Sequence, residues 1–582
     1  MDKLFNRLLY NLSVTIFGIL TLTFLISSLG FIFHIPINIF DLLIPFGLGV
    51  FYLFKNSDTK KEFFIQLILL FVIIAISYGI SLTFWDDTWD GRSYHAATII
   101  MLKNGWLPLY DNISEITQKL SLYPYNTHFS DCYLKFSEIV GANIYNLTGH
   151  IESPKTSNLL FVGSLFMYSS SVFKEIIKKN TISVILAVSI CLNLVCITQL
   201  LTNYVDIQIY IAITFFILTV LKIEKTHIQT RADIFLIIMS SLMLATVKLT
   251  GIAYFAVIYF CWFIYRIISK NEVKSIIITS IVSFLLILIT SINPFYTNLK
   301  NYGHPFHPFM GKNKMNLTPQ QYPVGFKNKT PLQRFLISTF AESLNSIEES
   351  KYCKMNEDYV IKIPFSRIPY SYLNIFFIPD MRIGGFGYYW SGILCLTFLL
   401  LLFLRFNNKE DKNLFLFITA TVILSVSINP DAWWARYVPQ LWLIPIISLI
   451  FIFISKNIKL PKFTYFIAYM CIFFIFFNSV FPIKDQLIVK NDYSYIYKKY
   501  LKLIYKQSNP NGIFIMQNKD FHSALAEETV KPHLNEMNIK MIEIKYNSNL
   551  IQDGFDCLQV IPVNEKSYFY KPVSWQDDNL GR

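Results

Sequence analysis

Acidic, basic and aromatic side chains crowd one short segment of the chain, from Trp85 to His95. It contains three aspartates, an arginine and a histidine, and it directly follows a long apolar run at 63–84. Ionisable groups cost free energy close to the hydrocarbon core of a membrane and are usually functional there. Since an apolar helix needs none of them to stay in lipid, the segment predicts a site that binds a charged ligand or moves a proton.

The composition is that of a membrane protein. The 582 residues are 53% hydrophobic and only 15% charged, whereas soluble domains carry about 25% charged residues. The first apolar run, near 8–35, is too long for the core of a cleavable signal peptide and lacks a small-residue cleavage site, so we interpret it as a membrane span.

About thirteen apolar runs approach the roughly 20 residues that a transmembrane helix needs. They lie near 8–34, 37–54, 63–84, 157–175, 181–201, 204–222, 232–247, 249–268, 274–293, 388–405, 413–429, 437–455 and 463–483. Every second connector is short and basic, which by the positive-inside rule makes these connectors and the N-terminus cytoplasmic. This pattern predicts a multi-pass protein of the inner membrane with its C-terminus outside. It also accounts for much of the net charge of +13 without a nucleic-acid partner.

Two long loops fall on the outer face, 85–156 and 294–387. Tyr94, Ala97, Thr98, Met101 and Leu102 recur with a helical period, which predicts an amphipathic helix in the plane of the membrane interface. A second such stripe runs over 332–340. We expect an all-α polytopic transmembrane domain at 1–483, with about 13 transmembrane helices and outer-face interfacial helices. The polar tail, 484–582, predicts a small α/β extracytoplasmic appendage.

The charged residues of the outer face suit one kind of chemistry. Transfer of a sugar from a lipid phosphate needs a general base, usually a carboxylate, and cations that neutralise the departing phosphate. The candidate bases are Asp86, Asp87, Asp90 and Asp206, and the candidate phosphate ligands are Arg92, Lys248, Arg382 and Arg436. Active site and C-terminus are then both extracytoplasmic.

Each of these residues also has a structural interpretation. Asp86 and Asp87 could solvate a helix end, and Asp90 could cap the helix that follows. Asp206 could be an ordinary helix N-terminal acid. Lys248 could extend along apolar surface to water, and Arg436 could anchor an interfacial aromatic belt.

The histidines and cysteines do not predict a metal site. His95 could be a partner of Asp90 or could face lipid headgroups. His304 and His307 have no nearby third ligand in the sequence, so we expect no metal there. The eight cysteines lack the spacings of zinc sites and disulfide frameworks.

Several segments resemble the glycosyltransferase C superfamily, which includes protein O-mannosyltransferases and the lipid A aminoarabinose transferase. The segments are Trp89–His95, Leu102–Tyr110, Asn203–Asp206, Lys248–Gly251, Asn301–Phe306, Gly384–Gly387 and Ala435–Tyr437. In those enzymes an Asp, often followed by Glu, lies about four residues before an aromatic residue, a spacing that Asp90 and Tyr94 match. Gly91 stands where the Glu would be, so the acidic pair is lost unless Asp86 or Asp87 replaces it.

The resemblance implies an inverting membrane glycosyltransferase that uses a polyprenyl-phosphate-linked sugar, with no nucleotide and no obligatory metal or other cofactor. It implies Asp90 as the base, with Asp87 as a second catalytic candidate. It places Arg92, Tyr94, His95, Asp206, Lys248, Arg382 and Arg436 around the substrates. The acceptor would be lipopolysaccharide, another glycan, a lipid or a protein.

Two other classes remain open. A polysaccharide polymerase or ligase acting on lipid-linked oligosaccharides would also have many spans and large outer loops. A lipid or glycan transporter would place polar groups at mid-membrane and show internal repeats, but the polar groups here are at the outer edge and no repeat is evident.

Overall fold

The computed structural model describes most of the chain up to residue 507 and short pieces of the tail. The described residues are 2–120, 122, 124–269, 273–315, 322, 325–342, 359–366, 379–455, 460–507, 513–516, 532–533, 536, 543–544, 559–564 and 567–571. Cys353 and Cys557 lie outside them.

The described chain is mainly helical. Its α-helices are α1 (Asp2–Ile32), α2 (Phe40–Lys55), α3 (Lys60–Thr83), α4 (Ala96–Lys103), α5 (Ile113–Leu120), α6 (Pro124–Cys132), α7 (Phe136–Thr148), α8 (Thr156–Ile177), α9 (Asn180–Cys191), α10 (Leu194–Gln199), α11 (Asp206–Thr226), α12 (Arg231–Val247), α13 (Leu249–Ile268), α14 (Lys274–Thr290), α15 (Ile292–Tyr302), α16 (Pro331–Phe340), α17 (Trp390–Phe403), α18 (Lys409–Ser427), α19 (Leu443–Ile454) and α20 (Lys462–Gln507). One π-helical turn, Gly91–His95, leads into α4.

The membrane character of the fold is confirmed, whereas the count of thirteen spans is not. By length and composition, six described helices could cross a membrane singly, namely α1, α3, α8 with its preceding turn, α11, α13 and the first part of α20. The pair α14 and α15, bent by 50°, forms a seventh candidate. All thirteen apolar runs fall on helices, but several of these helices are shorter than a full span.

One of the predicted runs, 181–201, is broken in its middle. Helix α9 ends at Cys191, and Asn193 then caps α10 by accepting a hydrogen bond from the Val195 amide (3.0 Å). The Asn193 side chain also donates to the carbonyl of Pro439 (3.0 Å). Because Asn competes with the backbone for hydrogen bonds, it favours a cap over a helix interior. Beyond the break, Gln199 at the end of α10 donates to Asp206 at the start of α11 (3.2 Å).

Helix α11 forms the centre of the bundle. Its residues 206–223 are all buried, and it packs against α8 and α12. Polar contacts cross the core beside it, as where the hydroxyls of Ser13 and Ser164 each donate to the other's carbonyl (2.8 and 2.9 Å). In contrast, α2, α3, α13 and α14 expose large apolar side chains such as Phe51, Ile68 and Phe260. Such faces suit lipid, where only apolar surface is tolerated.

The prediction that α4 is an interfacial helix is wrong. The second predicted stripe lies on α16, which is amphipathic as expected. Helix α4 buries every residue from Ala96 to Leu102, including the positions between the members of the stripe. It lies inside the protein, packed on α7. Helix α16 instead buries Ser338 and Thr339 and exposes Leu332 and Leu336.

The tail begins inside a helix. Helix α20 is continuous over 46 residues and passes through the predicted domain boundary at 483. Beyond it lie β1 (Ile513–Met516), β2 (Glu543–Ile544), β3 (Gln559–Asn564) and β4 (Ser567–Lys571), in the order β2-β1-β4-β3. The β3–β4 pair is antiparallel and the other pairs are parallel. That 484–582 is a separate domain stays a prediction.

Candidate active site

Asp86 builds the acidic loop. Its carboxylate accepts hydrogen bonds from the amide and hydroxyl of Thr88 (2.9 and 2.6 Å) and from the amide of Asn203 (2.8 Å). It is 2% exposed, so the interpretation that it solvates a helix end is wrong. Burial raises the pKa of Asp86 above its ordinary value. The side chain fastens the loop to the turn before α11.

Gly91 is required by this packing. A Cβ atom there would lie 2.3 Å from Asp86 Oδ2 and 2.4 Å from Thr88 Oγ1, far inside van der Waals contact. Glycine at this position therefore has a local cause, because the carboxylate of Asp86 occupies the space that a side chain at 91 would need.

Asp90 belongs to a chain of ion pairs. Its Oδ2 accepts a hydrogen bond from Arg436 Nη1 (2.9 Å), and Arg436 Nη2 lies 3.2 Å from Asp380 Oδ1. The other oxygen of Asp380 accepts from Arg382 Nε (2.6 Å). Arg436 therefore bridges two carboxylates from distant parts of the sequence.

Asp206 and Lys248 form a second pair beside the first. Lys248 Nζ donates to Asp206 Oδ1 (2.6 Å), and Gln199 Nε2 donates to Asp206 Oδ2 (3.2 Å). The ring of Tyr437 joins the two groups, because Lys248 Nζ lies 4.3 Å and the Arg436 guanidinium 5.2 Å from its centroid. The structure thus brings Asp90, Asp206, Lys248, Arg382 and Arg436 together, with Asp380 added.

Aromatic rings surround the Arg436 guanidinium. Its central carbon lies 4.9 Å from the Trp434 centroid and 5.2 Å from that of Tyr204. Burial alone would lower the pKa of Arg436. The carboxylates of Asp380 and Asp90 and the Tyr437 hydroxyl raise the pKa by more than burial lowers it, so it is well above its ordinary value. The side chain therefore keeps its positive charge although water is largely excluded.

Lys248 responds differently to the same surroundings. Burial lowers its pKa, Asp206 opposes that shift, and the neighbouring positive charge of Arg436 lowers it further. A cation held in such a place gains from an added negative charge, because an anion relieves the repulsion between Lys248 and Arg436.

Two segments hold Asp380 in position. The Ala435 amide donates to the carbonyl of Met381 (3.1 Å), and the Trp434 indole N–H donates to the carbonyl of Asp380. Gly385 allows this close approach, since a Cβ there would lie 2.7 Å from the Ala435 Cβ. Asp380 was missed by the sequence interpretation. Its position two residues before Arg382, in the same outer loop, was the signal that could have found it.

The candidate bases differ in whether a carboxylate oxygen is left without a hydrogen-bond or ion-pair partner. Among the described residues, both oxygens of Asp206 and of Asp380 have partners, and Asp86 accepts three hydrogen bonds. Asp90 has its one partner on Oδ2, and its side chain is 14% exposed. Asp87 likewise has one partner, Lys490 of α20. Asp90 alone combines an unpaired oxygen with a cation of the shared cluster.

Tyr94 lies beside Asp90 and packs against Tyr133, with ring centroids 5.5 Å apart. Burial and the Asp90 carboxylate raise its pKa, so its hydroxyl stays protonated.

Arg92 and Asp87 face α20. The Arg92 guanidinium lies 5.3 Å from the Tyr493 centroid, Lys490 pairs with Asp87, and the Ser494 hydroxyl accepts from the Trp85 amide (2.8 Å). The start of the tail thus covers the acidic loop.

His95 does not face headgroups. It is buried and pairs through Nδ1 with Glu138 of α7, and its ring lies against that of Tyr94. This contact fixes the helix that begins at the acidic loop.

The expectation that His307 has no third ligand nearby is wrong. His128 and Cys132 approach it from α6, and the ligand atoms of the three residues lie within 4.8 Å of one another. His304 is not part of this group.

A small, partly open cavity with a mainly apolar lining lies at another place in the bundle. Phe24, Phe31, Leu109 and Ile289 contribute to its lining, and Lys135 is its cation. Burial lowers the pKa of Lys135 to about 8. The cavity lining includes none of the residues of the Asp90–Arg436 cluster.

Comparison with known proteins gives similarities to solved structures alone. No protein-family model matches the sequence, and no curated protein matches it. A solved chain titled as the crystal structure of ArnT from Cupriavidus metallidurans bound to undecaprenyl phosphate is similar over 80% of this chain and 85% of that one. The sequence identity is 10% and the TM-score 0.43. A TM-score of that size does not establish a common fold.

Proposed function

We propose that this protein is a membrane glycosyltransferase. It moves a sugar from a polyprenyl-phosphate donor to a glycan, lipid or protein acceptor outside the cytoplasm. The observation that carries the proposal is the Asp90 carboxylate. One of its oxygens binds Arg436 at 2.9 Å, and the other has no partner among the described residues. A reaction that deprotonates a hydroxyl and releases a phosphate needs a base and a cation side by side.

The reaction is a single displacement with inversion. Asp90 accepts the proton of the acceptor hydroxyl while that oxygen forms a bond to the anomeric carbon. The bond from this carbon to the phosphate oxygen of the donor breaks, and its electron pair leaves with the polyprenyl phosphate. Arg436, Arg382 and Lys248 neutralise the leaving group, and Tyr94, His95 and Arg92 shape the surrounding loop. The step needs neither a nucleotide nor a metal ion.

The ion pair also couples donor binding to the release of the base. A donor phosphate competes with Asp90 for Arg436, and Asp380 keeps the guanidinium in place while the exchange occurs. The exchange frees the Asp90 carboxylate to accept the proton of the acceptor hydroxyl.

Purified protein in liposomes tests the proposal. The assay supplies one polyprenyl-phosphate sugar at a time with a lipid or glycan acceptor, and it measures both free polyprenyl phosphate and glycosylated product. Wild type should form the two in equal amounts, and Asp90→Asn should form neither at a comparable rate. Asp58→Asn is the matched control, because Asp58 is an exposed carboxylate paired with Arg7 at the other end of the bundle. Equal turnover by all three proteins would exclude the assigned base.

The same assay separates the alternative functions. A polymerase or ligase would give products that grow by whole oligosaccharides, and a transporter would move the lipid without releasing polyprenyl phosphate. Mass spectrometry of lipopolysaccharide, glycolipid and glycoprotein from a deletion strain identifies the acceptor class.

We also propose that the site faces outwards in the inner membrane. An alkaline phosphatase fusion near residue 490 should be active, and a cytoplasmic fluorescent reporter there should be silent. The reverse result would place the acidic loop in the cytoplasm.

A further inference from the structure

Helix α6 and the segment after α15 bring three metal-binding side chains to one place. His128 and Cys132 are four residues apart on α6, so they lie on one face of the helix, and Cys132 Sγ is 4.0 Å from His128 Nε2. His307 approaches from the second outer loop, with its ring centroid 5.6 Å from that of His128. The three ligand atoms lie within 4.8 Å of one another.

The surroundings of His307 indicate that it binds a ligand. It is 5% exposed, and neither of its ring nitrogens has a hydrogen-bond partner in the described part of the chain. A neutral imidazole has one donor and one acceptor, and burying both without partners is costly. The Cys132 thiol is also buried and is not in a disulfide. A bound cation would satisfy the orphaned acceptor nitrogen.

The surrounding contacts hold the three residues in register. Asn298 Nδ2 donates to the carbonyls of both Cys132 and His307, at 3.0 Å each. The Tyr302 ring stacks on His307 with centroids 4.2 Å apart, and its hydroxyl donates to Asp131 (2.9 Å). Such outer contacts orient metal-binding side chains and fix their rotamers.

We infer that His128, Cys132 and His307 form a Zn²⁺ site that fastens the second outer loop to α6. Imidazole and thiolate ligands together favour zinc over the hard cations Ca²⁺ and Mg²⁺. Zinc bonds of about 2.0–2.3 Å place tetrahedral ligands about 3.5 Å apart. Because the ligand atoms lie within 4.8 Å of one another, this geometry requires them to approach by about 1.3 Å at most. Binding releases the thiol proton to solvent, since the ligand is the thiolate.

The site lies next to the candidate active site. Tyr133 follows Cys132 directly, and its ring contacts Tyr94 on one side and stacks on Phe309 on the other, with centroids 5.5 and 5.9 Å apart. Zinc would therefore hold a short path of contacts that leads from the second loop to the residue beside Asp90. The inference does not depend on the proposed reaction, because its test measures metal binding.

The experiment uses the full-length protein in detergent. Zinc content and affinity are measured by mass spectrometry and chelator competition for wild type, Cys132→Ser and His307→Asn. The matched controls are Cys395→Ser, a cysteine outside the cluster, and His304→Ala, a neighbouring histidine outside it. We expect one zinc per chain in wild type and both controls, and an affinity at least about tenfold lower in each ligand variant.

Cobalt substitution tests the inference in the wild type alone, so that a variant that fails to fold does not decide it. Co²⁺ bound by His128, Cys132 and His307, with a water molecule as the fourth ligand, should show a sulfur-to-cobalt charge-transfer band and the spectrum of a tetrahedral ion. A cobalt-loaded wild type without the sulfur band would overturn the site. Equal zinc affinity in wild type and Cys132→Ser would also overturn it.

Discussion

The two ends of helix α11 both carry charged residues, but these are arranged differently. At its C-terminal end Lys222, Lys225 and Glu224 pair with Asp233 of α12, Asp411 of α18 and Arg266 of α13. These pairs tie α11 to three neighbouring helices. At its N-terminal end Asp206 pairs with Lys248, next to the Arg436 guanidinium that Asp90 and Asp380 share.

The acids at the C-terminal end are committed to structure. Asp233 accepts hydrogen bonds from the Thr230 amide and hydroxyl, from Tyr10 and from Lys222, and so completes the cap of α12. Within the described part of the chain, Asp90 at the other end has one cation and one unpaired oxygen. A saturated carboxylate has nothing left for a ligand, whereas a cation shared by two acids can exchange one of them for a phosphate. The difference separates charges that stabilise from charges that can react.

The largest expected effect is that of Asp90→Asn. The amide keeps the size of the side chain but cannot accept the proton, so transfer should fall about 10²–10⁴-fold. Asp87→Asn is the matched variant, because Asp87 also has one cation partner but lies against α20. It should lose less than about tenfold. The rates are compared on protein confirmed in the membrane. A larger loss in Asp87→Asn would move the base by three residues.

Acid should destabilise the fold by protonating Glu152, which holds the loop that contains Asp86. Glu152 accepts from the Asp86 amide and pairs with Lys155 and His533. Although burial alone would raise it, these partners lower the pKa of Glu152 from 4.5 to about 2. A lowered carboxyl pKa stabilises the fold above about 4.5, and this stability, about 3 kcal/mol, is lost as the pH falls towards 2.

Thermal unfolding in detergent between pH 7 and pH 3 measures this loss. Glu152→Gln should lower the melting temperature at pH 7 and flatten its dependence on pH below 4.5. An unchanged acid dependence in Glu152→Gln would show that the acid sensitivity comes from other groups.

Arg436→Lys should have the next largest effect on transfer. Lysine keeps the charge but lacks the planar fork that bridges Asp90 and Asp380. A hydrogen bond to a charged group contributes about 1.5–3 kcal/mol, so apparent donor affinity should fall about 10–100-fold, with a smaller effect on turnover. Arg266 of α13 pairs with Glu224 at the C-terminal end of α11, and Arg266→Lys should keep wild-type donor affinity. Equal effects of the two substitutions would remove the distinction between the two ends.

Much of this arrangement could be predicted from the sequence, and the failures have identifiable causes. Apolar runs and basic connectors located the helices, and charges next to the outer ends of those runs identified Asp90, Asp206, Lys248, Arg382 and Arg436. All five meet because helices starting or ending at one level bring their ends together. The roles of these residues, the sidedness and the family stay predictions.

Other features depend on contacts that no spacing reveals. The stripe in α4 was interpreted as an interfacial face, but α7 covers the helix and the intervening residues are buried too. His307 was considered without His128 and Cys132, which are far away in sequence and reach it only through the packing of α6 against α15. Asp380 lies two residues from a residue already chosen, and only the structure shows that it shares Arg436 with Asp90.

The smallest expected effect concerns the loop that carries the base. Gly91→Ala places a methyl group 2.3 Å from Asp86 Oδ2, which accepts from the Asn203 amide, and 2.4 Å from Thr88 Oγ1, which donates to Asp86 Oδ1. Overpacking of this kind costs about 1–3 kcal/mol. Because the strain falls on the turn that begins at Asp90, transfer should drop together with the melting temperature.

Gly79→Ala is the control, since Gly79 lies in α3 with open space around its Cβ position. It should keep both properties or gain slightly in stability, because alanine favours a helix. Normal stability and transfer in Gly91→Ala would show that the Asp86 side chain can move away from position 91. The hydrogen bonds of Asp86 would then hold the loop less rigidly than the structure indicates.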